Sequence, residues 1–473
     1  MGFDYKLLGF KCGIEAHQQL EGKKLFCNCP TEIRRDPSHF TIRRTLRAAA
    51  GESGAIDVAA KHEQAKGKAF IYQGYYDTTC LVELDDEPVH AVNPDALKIV
   101  LQVAHLLNCK VVDEIQFMRK IVVDGSNVSG FQRTALVGRN GWVEINGRKI
   151  GISSVCLEEE ACQAVTRTEK EDTYNLSRLG IPLVEIATDA SIASPEECKE
   201  VAAKLGMILR SVDGMKRGIG SIRQDVNVSI KGGARTEIKG FQEYKSIPKV
   251  IEEEIKRQQK LIKQGKKIVQ EVRKAEQNFS TSFLRPMPGA ARMYPETDVR
   301  PSKPGATAVG KIELLEEKAE KLKILGIGAD LANATVKLGR ADFVLSLAAQ
   351  YSSVKPAFIA ETLISTPGTI KRKENVDCNP RDADWHTLFA ALAQGKIAKD
   401  AICPILLDFG RTGKMEFTKY ALLSDKELEI AIKKIIAENK SIPPNALIGK
   451  VMGQLRGKAD GQKIIEKLKA FAQ

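Results

Sequence analysis

The sequence has no apolar run approaching the roughly 20 residues that span a bilayer. Its opening Met-Gly-Phe-Asp-Tyr-Lys lacks the basic n-region and apolar h-region of a secretory signal. Both absences predict a cytoplasmic chain with no membrane partner. No low-complexity tract interrupts the 473 residues, and with 43% hydrophobic residues the chain can bury more than one core. Cysteine is sparse, with ten scattered at positions 12, 27, 29, 80, 109, 156, 162, 198, 378 and 403. That density excludes a disulfide scaffold. A G-x-x-x-x-G-K-[ST] loop is missing, and Gly218-Ile-Gly-Ser-Ile-Arg lacks the spacing of a dinucleotide fingerprint. Any ATP is therefore bound without a P-loop. Neither a G-x-S-x-G elbow nor a Ser-Ser-Lys pattern occurs, so no nucleophile for amide cleavage is evident.

What is present is positive charge. Lys and Arg number 72 against 60 Asp and Glu, a formal net charge of +12 that favours a polyanionic partner such as nucleic acid. Residues 1–303 mix short strand-like runs with helical ones, which predicts an α+β domain. Lys120-Ile-Val-Val, Trp142-Val-Glu-Ile, Ile150 to Val155, Pro182-Leu-Val-Glu-Ile and Asp225 to Ile230 are strand candidates. Ser194-Pro-Glu-Glu opens a capped helix, and a basic helix is expected from about Lys249 to Lys274. Pro286, Pro288, Gly289, Pro295, Pro301, Pro304 and Gly305 then mark a boundary. Residues 304–417 read as an all-α domain, broken near Pro404 and by a Gly410-Arg-Thr-Gly turn. Residues 418–473 read as a small helical tail that starts at a Ser424 cap and carries a net charge of +5. Such a tail suits an RNA backbone or is simply a solvated basic surface.

Three acidic groups are expected where strands end: Glu15 with His17, the run Glu158-Glu159-Glu160, and Glu185. Carboxylates from separate strand ends can converge on a hard cation such as Mg²⁺, with an imidazole completing the set. Alternatively the Glu run is an exposed acidic turn and His17 a satisfied, partly buried residue. From spacing alone that second account is the simpler. Arg119, Lys120, Arg223 and Lys239 lie in similar contexts and offer cations for phosphate or carboxylate. Cys27-Asn28-Cys29 can place two thiolates on a structural Zn²⁺, with Cys80 as a further ligand, or all three remain reduced and unliganded.

Several blocks resemble the tRNA-dependent amidotransferase B/E family in the same order. They include Gly13-Ile-Glu-Ala-His-Gln-Gln-Leu, Met118-Arg-Lys-Ile-Val-Val-Asp-Gly-Ser-Asn, Cys156-Leu-Glu-Glu-Glu-Ala, Arg178-Leu-Gly-Ile-Pro-Leu-Val-Glu-Ile, Ile222-Arg-Gln-Asp-Val-Asn and Glu237-Ile-Lys-Gly. The tail block from Asn445 to Ala459 matches as well. The Asp-Gly-Ser-Asn and Gly-Phe-Gln-Arg-Thr segments resemble the archaeal E branch rather than the bacterial B branch. One departure is that the aspartyl-tRNA-synthetase-like insert usual in that branch is missing before Arg285-Pro-Met-Pro and Arg292-Met-Tyr-Pro.

The resemblance implies a mixed-sheet cradle for catalysis, a helical domain and a tRNA-gripping tail. It implies ATP- and Mg²⁺-dependent amidation of Glu-tRNA(Gln) to Gln-tRNA(Gln) through γ-phosphorylation and attack by ammonia. His17, Glu158 and Glu185 would be metal ligands. Glu159 and Lys120 would handle incoming ammonium, with Glu15 close by. Arg223, Asp225 and Lys239 would surround the nucleotide. An asparaginase-like partner of the D type, or an amidase-type partner of the A type, would make the ammonia within a heterotetramer. The alternatives are a B-type enzyme acting also on Asp-tRNA(Asn) and a non-catalytic tRNA-binding protein.

Overall fold

The structure, a computed structural model, describes all residues except 1–2, 51–53, 242, 290–292, 305–311, 440–443, 456–458, 460 and 472–473. Of residues 444–447, 461–462 and 469–471 it describes the backbone only. Arg292, Gly305 and parts of the tail block Asn445–Ala459 thus fall outside the described residues. Two compact units emerge, Met1–Ile312 and Glu313–Gln473.

The first unit is built on an eleven-stranded mixed sheet. In chain order its strands are β1 (Lys11–Gln19), β2 (Lys110–Val111), β3 (Phe117–Ile121), β4 (Phe131–Ile145), β5 (Arg148–Glu159), β6 (Pro182–Thr188), β7 (Ile222–Ser229), β8 (Thr236–Lys239), β9 (Glu271–Ala275), β10 (Thr281–Pro286) and β11 (Met293–Pro295). Across the sheet they run β10-β9-β8-β7-β1-β6-β5-β4-β3-β11, with β2 beside β4. All neighbours are antiparallel except β8 and β9. Since successive side chains alternate between faces, Ile14 and Ala16 of β1, at most 1% exposed, point one way and Glu15 and His17 the other.

Helix Pro195–Arg210 packs on β1 and buries Val201, Leu205 and Ile208. Its start is fixed by the Ser194 hydroxyl, which accepts from Glu197 N at 3.1 Å. The expected basic helix spans only Ile247–Lys263, and residues 271–274, assigned to it from sequence, belong to strand β9 instead. The helix stops because Gly265 turns the chain at φ +67°, and Glu271–Ala275 then pairs in parallel with β8. A four-stranded sheet stands beside the large one, in the order Phe40–Arg44, Ala69–Gly74, Glu171–Asn175, Gln163–Arg167.

The second unit is helical from Leu315 onward. It has one apolar cluster drawn from residues 319–406 and another from 428–468. The expected break near Pro404 does not occur, whereas the Gly410-Arg-Thr-Gly segment does end the helix, at its last residue. Pro404 is the third residue of helix Ile402–Thr412, where a missing N–H costs nothing, and the chain turns only at Gly413 with φ +71°. Ser424 and Glu427 form the capping box of helix Asp425–Glu438. Among the described residues, no helix is long and apolar enough to cross a membrane, and all ten cysteines are free.

Candidate active site

The register of the large sheet sets side chains of distant sequence opposite one another. β1 pairs Glu15 with Asp225 on one side, and His17 with Glu185 on the other. β6 sets Leu183 against Glu158, β4 sets Thr134 against Glu158, and β3 sets Lys120 against Gln132. Asn227 of β7 faces Glu237 of β8. Cross-strand pairs stand close enough for polar side chains to meet. One cavity of about 1070 Å³ is lined by Glu15, His17, Lys120, Glu158, Glu185, Arg223, Asp225 and Lys239, among others.

Within it, His17 Nε2 lies 3.3 Å from Glu185 Oε2. Lys120 Nζ is 2.7 Å from Glu158 Oε1 and 3.8 Å from Glu185 Oε2. Gln132 donates to the other Glu158 oxygen at 3.1 Å, and Asn227 donates to Glu15 at 3.0 Å. Lys239 bridges Asp225 at 2.6 Å and Glu237 at 2.5 Å. Arg223 reaches Glu160 at 3.0 Å.

Burial, with the neighbouring Glu185 and Glu237 carboxylates, pushes Glu15 up. Glu158 is pushed up by burial and by Glu185. Burial acts on Glu185 in the same sense, but Lys120 and His17 outweigh it and hold that carboxyl well below its ordinary range. The imidazole of His17 is raised despite burial, because Glu185 accepts its hydrogen bond. Environments that separate the ionisation of like groups are those that assign acid and base roles.

Two donor sets converge, Glu15 with His17 and Glu185, and Glu15 with Asp225 and Glu237. His17 Nδ1 is buried without a hydrogen-bond partner in the protein. Carboxylates around an imidazole with a spare ring nitrogen fit a hard divalent cation.

Of the nine residues given catalytic, nucleotide or Mg²⁺ roles by the resemblance, Glu159 alone does not line this cavity, and Arg119, offered beside them as a cation, is paired instead with Glu296 at 2.6 Å. The place of Glu159 in the alternation points it to the other face, where it accepts from Arg133 N at 2.9 Å and lies 3.4 Å from Arg133 Nη1. There it borders a cavity of only about 20 Å³ with Lys24, Phe26 and Glu83. The whole Glu run is buried, at 1%, 6% and 1% for residues 158, 159 and 160, so the exposed acidic turn does not exist. Sequence reasoning passed over Glu237 as a site residue, although its two-residue spacing from Lys239 on one strand was a usable signal.

Apart from this cavity, Cys27, Cys29, Cys80 and Glu83 bring their ligand atoms within 4.8 Å of one another. Lys24, 1% exposed, pairs with Glu83 at 3.0 Å. Hydrogen bonding from the Cys27 and Cys80 thiols draws Cys29 down to about 4.

Residues 10–309 match the GatB/GatE catalytic domain. Across 98% of both chains the protein is 35% identical to the GatE-type component of the glutamyl-tRNA(Gln) amidotransferase from a Methanococcus maripaludis strain. Over the same shares it is 35% identical to the corresponding protein of Archaeoglobus fulgidus and 33% to that of Sulfolobus acidocaldarius. The Methanococcus alignment runs to 622 positions against 473 residues here, so at least 149 of them are gaps in this chain, in keeping with a missing insert. With that match over its sheet-bearing unit and that similarity over nearly its full length, the chain belongs to the GatB/GatE family of tRNA-dependent amidotransferases.

Proposed function

We propose that this chain converts Glu-tRNA(Gln) to Gln-tRNA(Gln), using ATP, as one component of a larger amidotransferase. The observation that carries the reading is the convergence of Glu15, His17, Glu158, Glu185, Asp225 and Glu237 with Lys120 and Lys239 in one cavity. A carboxylate is a poor electrophile. Its acyl phosphate has a good leaving group, so ATP would first transfer its γ-phosphoryl to the glutamyl side chain; ammonia then forms the C–N bond as phosphate departs.

Mg²⁺ held by His17, Glu158 and Glu185, with Glu15 beside them, would neutralise phosphate charge when bound. Arg223, Asp225 and Lys239 border the same cavity and are proposed to position the nucleotide. Lys120, hydrogen-bonded to the buried Glu158, is placed to orient ammonia and to pass on the proton that it loses. Glu159 faces away from the cavity, so its proposed part in handling ammonium lies on the far side of the sheet.

The sequence shows no amide-cleaving nucleophile, and ammonia is therefore expected from a partner protein. The E-branch likeness favours an asparaginase-like partner of the D type over an amidase-type partner of the A type, in a heterotetramer. The separate apolar clusters of the helical unit support domains at 1–303, 304–417 and 418–473, with the basic tail on tRNA. A structural Zn²⁺ at Cys27 and Cys29 is proposed with Cys80 and Glu83 as further ligands, which makes four donors.

The test is ATP consumption by the chain with Mg²⁺, comparing Glu-tRNA(Gln) with uncharged tRNA and supplying ammonium chloride. Charge-dependent hydrolysis with Gln-tRNA formation is expected. Tight tRNA binding without turnover, even with the partner added, would favour a non-catalytic binding protein.

A further inference from the structure

The segment joining β3 to β4 is held in one conformation from several sides. Gly125 sits at φ +85°, and a Cβ there would lie 2.2 Å from Phe70 Cδ1, so only glycine fits. The buried Tyr72 hydroxyl donates to Gly125 O at 2.9 Å, and the Tyr174 hydroxyl donates to Asp124 O at 2.6 Å. Ser126 O accepts from Cys162 N at 2.8 Å, and Asn127 O from Gly130 N at 3.0 Å. Asp124, Ser126 and Asn127 line the same cavity as Lys120 and Glu158.

Asn127 is only 2% exposed, yet its Oδ1 has no hydrogen-bond partner in the protein. The neighbours fix which amide atom is free. Ser126 Oγ donates its single hydrogen to Asp124 Oδ1 at 2.6 Å and has only lone pairs left for Asn127. Nδ2 must therefore be the atom facing Ser126 Oγ, at 3.3 Å, which leaves the carbonyl oxygen unpaired. Buried acceptors are nearly always satisfied, so this one calls for a donor from a ligand. The carboxylates of Asp124 and Asp172 border the same cavity, and Lys68 already neutralises Asp172 at 2.9 Å. An amide oxygen beside the Asp124 carboxylate suits a donor that is also a cation.

We propose that Asp124 and Asn127 bind the α-ammonium group of the aminoacyl ester while its side-chain carboxylate lies near Lys120. The inference rests on the proposed function. Asp124 follows Lys120 by four positions, a backbone span of at most about 14 Å. Asp124 and Asn127 are thus positioning residues for the aminoacyl end of the substrate, in the same cavity as Lys120.

The experiment compares Glu-tRNA(Gln) with the same tRNA carrying N-acetylglutamate, using the full-length chain, ATP, Mg²⁺ and ammonium chloride. In the wild type, acetylation should raise KM by roughly ten- to hundredfold with kcat less affected. Asn127→Ala and Asp124→Asn should raise KM for the free amine and shrink that discrimination to within about threefold of unity. Equal use of both substrates by the wild type would overturn the site, and that comparison needs no variant to fold. Full discrimination retained in both variants would overturn it as well. Failure of the wild type to amidate the free-amine substrate at all would overturn the proposed function, and this site with it.

Discussion

Glu158 and Glu159, adjacent in sequence at the end of β5, face opposite sides of the sheet: Glu158 accepts from Lys120 in the large cavity, and Glu159 accepts from Arg133 behind it. Replacement of the two should therefore have different consequences. Glu158→Gln is expected to cut ATP-dependent amidation by about a hundredfold or more while leaving the unfolding midpoint unchanged. Glu159→Ala should cost about 3 kcal/mol in urea unfolding, because it strips a buried partner from Arg133 and leaves its backbone N–H unpaired. Equal stability of the two variants would contradict this division.

His17 contributes an imidazole whose Nδ1 has no partner in the protein. If it is a metal ligand, His17→Ala should raise the Mg²⁺ concentration for half-maximal ATP hydrolysis by at least about tenfold, since even outer-shell losses reach that size. An unchanged Mg²⁺ dependence would remove His17 from the ligand set.

For the cysteine cluster, metal analysis of the purified chain should return one zinc per molecule. Cys27→Ser or Cys29→Ser should abolish it, and chelators should lower the unfolding temperature. A metal-free chain of full stability would leave the three thiols unliganded.

Glu254 has a fully buried side chain bonded to Arg257, Thr236 and Thr281. Burial alone would raise its carboxyl, but the hydrogen bonds from Arg257, Gln258 and Thr281 and the Arg257 charge outweigh it and hold the group below its ordinary 4.5. A depressed carboxyl stabilises fully above its unfolded value, and that contribution is lost as pH falls through the folded value. Urea unfolding between pH 6 and about 3 should thus show a shallower acid loss for Glu254→Gln than for the wild type. Parallel curves would exclude this linkage.

Gly125→Ala should destabilise the chain by at least about 2 kcal/mol, from a positive φ and a methyl group driven into Phe70. Thermal unfolding reads it directly, and a neutral result would mean that the loop can move aside.

Much of the candidate site's lining was legible in the residues alone. Gly13 to Leu20, Cys156 to Ala161 and Arg178 to Ala187 carry the family likeness in the chain itself, and eight of nine chosen residues share the large cavity. Local chemistry likewise fixed the helix starts at Ser194 and Ser424, because a cap is satisfied within four residues.

Alternation along β5 requires Glu158 and Glu159 to part, but not which of them meets the cavity. That depends on β6 placing Leu183 beside Glu158 and on β3 bringing in Lys120 from 38 positions away. Likewise Glu83 joins Cys27 from 56 positions away, and the segment that carries Asn127 is pinned by Tyr72 and Tyr174 through Gly125 O and Asp124 O. The sequence determined the identities of the groups, their local elements and the family. Only the tertiary structure decided which groups share a space, because sheet register and burial arise from pairings between distant segments, whereas propensity and capping act within a few residues.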